Sequence, residues 1–167
     1  HADVLRKVSI IPRGLALGYT EQTPREDKLT YGQHYLEDRI SIMLGGRCAE
    51  QLVFDEVSSG AANDLQQATA LSIHMVTEWG MSEKLGPVNF RDSDQSYPNH
   101  EAFITKGYSE HTAELIDEEV SKLISINEKR TKAVLEEHRA ELDIIAQALL
   151  EKESLTDEDI EALLGKK

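Results

Sequence analysis

The sequence predicts a mainly α fold, with a small N-terminal β-hairpin or sheet and a long helix toward the C-terminus. Three observations predict it. Apolar residues recur at helical spacing over three stretches, from about Tyr31 to Val53, Leu65 to Trp79 and Ala113 to Leu149. Strand signals are few and short: Val8 to Pro12, Leu15 to Thr20 and, later, a brief Val88 to Phe90. Of the 167 residues, 40% are hydrophobic but only 5% aromatic, so aliphatic side chains must fill the core.

Taken in order, Val8-Ser9-Ile10-Ile11-Pro12 is β-branched and stopped by proline. Arg13-Gly14 reads as a turn, and Leu15 to Thr20 as the return strand of a hairpin. Gly18 within it predicts a bulge or the close approach of another backbone. From the residues alone this is a plain structural hairpin; the other reading is an exposed edge that accepts an extended peptide by strand addition. Glu21 to Lys28, polar and containing Pro24, reads as a loop. Leu36, Ile40, Met43 and Leu44 mark the buried face of the next helix. Gly45-Gly46 interrupts it at about 2 kcal/mol of helix propensity against alanine, which predicts close contact with another helix. Arg47 and Glu50 lie three apart and are placed to pair.

Ser58-Ser59-Gly60 supplies loop and capping chemistry before a helix whose apolar face is Leu65, Ala68, Ser72, Ile73, Val76 and Trp79. Asp64 falls in its first turn. There a carboxylate is stabilised by unpaired N–H groups and the macrodipole, or it serves as a metal ligand held on a rigid helix. His74 and Glu78 have metal-holding spacing. Ten residues separate His74 from Asp64, about 15 Å along a helix, so the two do not share an ion and His74 reads as a surface residue. Gly80 to Pro87 breaks the helix, Val88 to Phe90 is a brief strand, and Arg91 to Lys106 is a mobile loop.

Helical spacing returns at Ser109, as one long helix or two with a bend near His138-Arg139. Asn127, Thr131 and His138 stand in its apolar row and mark a weaker stripe or a solvated turn. Thr156 caps a last helix, with acids in its first turn, Ile160, Leu163 and Leu164 inward and Gly165 as its stop.

The net charge of −13 argues against nucleic acid as a partner. Cys48 is the only cysteine, so no internal disulfide forms and a four-cysteine zinc site is excluded. It reads as a small packing residue. No apolar run of about 18 residues exists to span a bilayer. The chain opens at His1 without an initiator Met and reads as a soluble fragment of something longer. Walker-type phosphate loops and G-x-S-x-G are missing. The zinc-peptidase string H-E-x-x-H puts two imidazoles one turn apart with a glutamate to activate water. His100-Glu101-Ala102-Phe103-Ile104 lacks the second histidine, and the inverted form fails because Gly107 precedes Glu110-His111. The residues alone hold no complete catalytic site.

Several segments, in order, resemble one family. Val8-Ser9-Ile10-Ile11-Pro12-Arg13-Gly14 with Ala16-Leu17-Gly18-Tyr19-Thr20, then Leu44-Gly45-Gly46-Arg47-Cys48-Ala49-Glu50, Ser59-Gly60-Ala61-Ala62-Asn63-Asp64-Leu65, Met75 to Pro87 and Ser154-Leu155-Thr156 are similar to the FtsH family of membrane-bound AAA zinc proteases. The resemblance implies that residues 1–167 are its peptidase domain, with a catalytic part at 1–108 and a helical part at 109–167. It implies Asp64 as third protein ligand of a catalytic Zn2+, with two histidines and a general-base glutamate expected upstream of His1. Glu50, Arg47, Asn63 and Gly60 then support that ligand, Glu50 as ligand itself being the lesser alternative. Substrate is expected to lie along Ile10, Ile11, Leu17, Gly18 and Tyr19.

For the parent protein the resemblance implies an attached AAA ATPase using ATP and Mg2+, a homo-hexamer, polypeptide substrates and an N-terminal anchor. The expected location is the cytoplasmic face of a bacterial inner membrane, or else an organellar membrane. The other reading is a catalytically silent helical oligomerisation or scaffold module.

Overall fold

The fold is described from a computed structural model covering residues 2–12, 14, 18–23, 30–90 and 108–165. In chain order it comprises β1 (Val4–Ser9), β2 (Tyr19–Thr23), α1 (Gln33–Phe54), a short 3-10 turn (Ser59–Ala61), α2 (Ala62–Thr77), α3 (Glu110–Glu137), α4 (Arg139–Lys152), β3 (Ser154–Thr156) and α5 (Asp157–Leu163). The mainly α class with a small sheet is as expected.

The sheet differs from the predicted hairpin. β1 starts at Val4 and ends at Ser9, so Ile10 and Ile11 lie beyond it, 40% and 46% exposed. β2 runs Tyr19–Thr23, which places Glu21 to Thr23 in a strand rather than a loop. Residues 15–17, and so Leu17, lie outside the described residues, as does the predicted loop over 91–106. β1 is central in the order β2-β1-β3, antiparallel to both neighbours. The sequence reading missed β3. It is three residues long, and its alternation is hidden beside the capping signal of α5. It joins the sheet because the chain at Ser154–Thr156 lies against Lys7–Ser9. Leu155 is fully buried there, and the Ile10 N–H and the Ser9 hydroxyl both donate to the Glu153 carbonyl, at 3.0 and 3.2 Å. Gly18 behaves as expected: a Cβ there would stand 2.6 Å from the Ser9 carbonyl oxygen. The register irregularity falls instead between Leu5 and Lys7.

α1, α2 and α3 share one aliphatic core of Leu36, Ile40, Leu44, Cys48, Ala68 and Met75, with Leu123, Ile124 and Leu135 against it. Cys48 is buried, and burial pushes its thiol above the ordinary value. Gly45 and Gly46 do not mark a helix contact: a Cβ at either would meet nothing within 4 Å. On α2 the buried row is Ala68, Ser72, Met75, Val76 and Thr77. Ile73 and Trp79 are 42% and 47% exposed, because the helix turns Met75 rather than Ile73 toward α1. Val88 to Phe90 is not a strand; the Phe90 N–H donates to the Thr77 carbonyl at 2.7 Å, which ties the segment to the end of α2.

The long helix is two, and His138 lies at the break between α3 and α4. Asn127 and Thr131 form no solvated turn. Asn127 is 2% exposed; its amide oxygen accepts from the Ser41 hydroxyl at 3.0 Å and its amide nitrogen donates to the Leu123 carbonyl. The Thr131 hydroxyl donates to the Ser41 and Asn127 carbonyls. These bonds replace apolar packing along the α1–α3 seam, beside an Arg130–Asp38 ion pair at 2.6 Å. α5 starts at the predicted cap, Thr156, through a reciprocal capping box with Asp159. Ile160 is buried, Leu163 is exposed, and Gly165 takes φ +66° as the helix ends. Among the described residues no helix is long and apolar enough to cross a membrane.

Candidate functional site

The site is built at the junction of α1 and α2. α1 ends at Phe54, with Asp55 in the left-handed region at φ 53°. Aspartate tolerates that conformation better than most residues, and the chain reverses there. Three residues later Ser58, in extended conformation, caps the 3-10 turn, and its hydroxyl accepts from the Gly60 N–H at 3.1 Å. The turn leads directly into α2.

Asp64 stands in the first turn of α2, half-exposed. Among the described residues no hydrogen bond or ion pair engages its carboxylate. It therefore does not cap its own helix, and its stabilisation there is the field of the helix N-terminus alone. Two carboxylate oxygens on a rigid helix, unspent on other partners, suit a zinc ligand. They do not suffice: among the described residues no three His, Cys, Asp or Glu side chains converge where an ion would sit. The donor set fits one corner of a tetrahedral site.

Glu50 does not pair with Arg47 by a hydrogen bond. Its two oxygens accept from Ser58, one from the backbone N–H at 2.9 Å and one from the hydroxyl at 2.7 Å. The Ser58 N–H, then the hydroxyl, hold the Glu50 carboxyl below the ordinary glutamate value, with the Arg47 charge adding to the fall. The predicted pair gives way because the loop returns Ser58 over the last turns of α1, where its N–H and hydroxyl take both Glu50 oxygens. Gly60 lies beside this contact, and a Cβ there would stand 3.1 Å from the Ser58 hydroxyl oxygen. Asn63 is exposed in the first turn of α2.

The residues named for substrate divide. Ile10 spends its N–H on Glu153, and β1 is covered on both sides. Gly18 precedes β2, and Tyr19 begins it, with β2 as an edge of the sheet. His74 is a surface residue as predicted: its Nδ1 lies 2.7 Å from Glu78 and its ring stacks on Trp79. Sequence reasoning gave Ser58 a loop and capping role and missed its bonds to Glu50. Its signal was the S-x-G spacing before an N-terminal turn, which gave a cap for Gly60 but not the return contact to Glu50.

Compared with known proteins, residues 1–163 match the family model described as Peptidase family M41. The chain is 47% identical over 164 residues to the ATP-dependent zinc metalloprotease FtsH of Marinobacter nauticus, covering 98% of this chain and 26% of that protein. It is 45% identical over 163 residues to the protein of the same name from Nitrosococcus oceani, covering 97% and 26%. Against ATP-dependent zinc metalloprotease FtsH 1 of Rhodopirellula baltica it is 42% identical over 165 residues, covering 98% and 25%. The chain thus spans about a quarter of the length of these curated relatives.

Proposed function

The chain belongs to peptidase family M41, and from that premise we propose that it is the proteolytic domain of an ATP-dependent zinc metalloendopeptidase. The observation that carries the reading is the Asp64 carboxylate, presented on the first turn of α2 with no hydrogen bond or ion pair among the described residues. In this reading Asp64 supplies one protein ligand, and an H-E-x-x-H segment outside these 167 residues supplies two imidazoles and the general-base glutamate. When bound, zinc supplies Lewis-acid polarisation of the scissile carbonyl and acidifies the attacking water.

The chain's own residues hold and orient. Asp64 fixes one direction of the ion, and its negative charge stays on a helix N-terminus that stabilises it. β2 is an edge of the sheet, and an extended polypeptide would add there as a further strand. Ile10 and Ile11 present apolar surface beside it. Residues 1–108 carry this catalytic part, and 109–167 brace it through the α1–α3 seam. The whole protein would add an ATPase ring that feeds unfolded chain, a homo-hexameric assembly and a membrane anchor. The relatives' names support the ATP and zinc dependence. The scaffold reading has no observation in its favour.

The test is digestion of an unfolded polypeptide such as casein by the full-length protein. Cleavage that needs ATP, stops with a chelator and returns with zinc is expected. Digestion indifferent to chelation would sink the reading.

A further inference from the structure

We propose that Ser58 is a positioning residue for the metal site: clasped by Glu50, it fixes the start of α2 and so the place of the Asp64 carboxylate. The inference rests on Asp64 being a ligand, as argued above.

The need for such a device follows from how α2 begins. Its N-cap is Ala61, which makes no side-chain capping bond. The first N–H groups of a helix lack partners within it, and here the preceding 3-10 turn supplies one, the Ala62 N–H donating to the Ser59 carbonyl. Asp64 sits in the first turn of α2. A ligand has to be held to within about half an ångström of its productive place. Stabilisation therefore has to arrive from upstream, and Ser58 is where it enters. Its hydroxyl works in both directions, accepting from the Gly60 N–H at 3.1 Å and donating to Glu50 at 2.7 Å. Its own N–H makes the second bond to Glu50, at 2.9 Å.

The clasp ties the residue that caps the 3-10 turn to α1, the helix on which α2 packs. The 3-10 turn leads without a break into α2, so fixing its capping residue fixes the turn that carries Asp64. Bonds this exposed would contribute little singly. Two bonds from one residue to one carboxylate constrain direction as well as distance. Gly60 leaves the space that the clasp needs, since a Cβ there would crowd the Ser58 hydroxyl oxygen. This gives Glu50 a role through Ser58, with no contact to the metal.

The test uses the full-length protein with Ser58→Ala, Ser58→Thr, Glu50→Gln and Asp64→Ala, and reads zinc affinity by competition with a chromogenic chelator. Ser58→Ala should lower zinc affinity about ten- to a hundred-fold, the range for residues that orient metal ligands, and lower kcat with KM for casein unchanged. Ser58→Thr keeps a hydroxyl that donates and accepts, and should restore both. Glu50→Gln, with one acceptor oxygen instead of two, should resemble Ser58→Ala. In the metal-free protein, hydrogen exchange at the amides of residues 60–65 should speed up in Ser58→Ala, a readout that needs neither zinc nor activity.

Wild-type zinc affinity in Ser58→Ala, or unchanged exchange, overturns the proposal. So does loss of zinc in Glu50→Gln alone, which would make Glu50 act on the metal directly. If Asp64→Ala keeps zinc, the site reading itself fails and takes this proposal with it. If Asp64→Ala loses zinc while Ser58→Ala does not, the proposal fails alone.

Discussion

Replacing Asn127 with leucine isolates the polar seam between α1 and α3. Asn127 is 2% exposed, and its amide oxygen is the acceptor for the Ser41 hydroxyl at 3.0 Å. Leucine is close in volume, so the change leaves little cavity and removes the acceptor. The Ser41 hydroxyl is then left inside the seam without its partner, which costs about 1–3 kcal/mol. The Thr131 bond to the Asn127 carbonyl is to backbone and survives. For a chain of this size that is a fall in Tm of about 2–4 °C per kcal/mol. Ser41→Ala strands the Asn127 oxygen instead and should cost a similar amount. Removing both polar partners together leaves nothing unsatisfied, and such exchanges come out close to neutral. Thermal and urea unfolding of the four proteins should therefore give a coupling of about 2–6 kcal/mol, the two single losses together, the double variant being more stable than the sum of the singles predicts. Additivity within about 0.5 kcal/mol, the behaviour of independent sites, would refute the claim that these bonds set the register of α3 on α1.

Two further outcomes follow from the Gly80–Pro87 segment. Glu119 on α3 is buried and accepts from the Ser82 hydroxyl at 2.8 Å and from Lys122 at 3.1 Å. The Ser82 bond holds its carboxyl below the ordinary 4.5 against the opposing effect of burial, with Lys122 and Lys84 assisting. A carboxyl with a depressed folded value stabilises fully above its unfolded value and loses that contribution as pH falls through the folded one. Glu119→Gln should thus be about 1–3 kcal/mol less stable at neutral pH, and the gap should close as pH falls below the ordinary glutamate value and through the lowered folded one; a gap independent of pH would contradict this. Gly80 has φ +62°, and a Cβ there would lie 2.8 Å from the Pro87 Cα. Gly80→Ala is expected to cost about 1–3 kcal/mol of stability by strain, read as a lower urea midpoint, and an unchanged midpoint would remove the account of that turn.

The helices were legible because their signals are local and repeated. α1 kept the face Leu36, Ile40 and Leu44, and the break at His138 stood where the spacing placed a bend. What was not legible depended on distant partners. Ser154–Thr156 is a strand only because Lys7–Ser9 lies beside it. Asn127 in an apolar row looked like a flaw until Ser41, 86 residues away, supplied its donor. Glu50 was assigned the neighbour that helical spacing gives, Arg47, whereas the fold gave it Ser58 across a loop. The candidate site was legible as a resemblance, not as chemistry. Asp64 alone reads as an ordinary first-turn acid, and the ligand role proposed for it comes from the family resemblance.

Zinc K-edge X-ray absorption of the full-length protein carrying Asp64→Cys asks the central question directly. A thiolate at a ligand position adds a Zn–S shell at about 2.3 Å, and the account predicts that shell. Stoichiometric zinc with only nitrogen and oxygen neighbours, as in the wild type, would mean that residue 64 does not touch the ion.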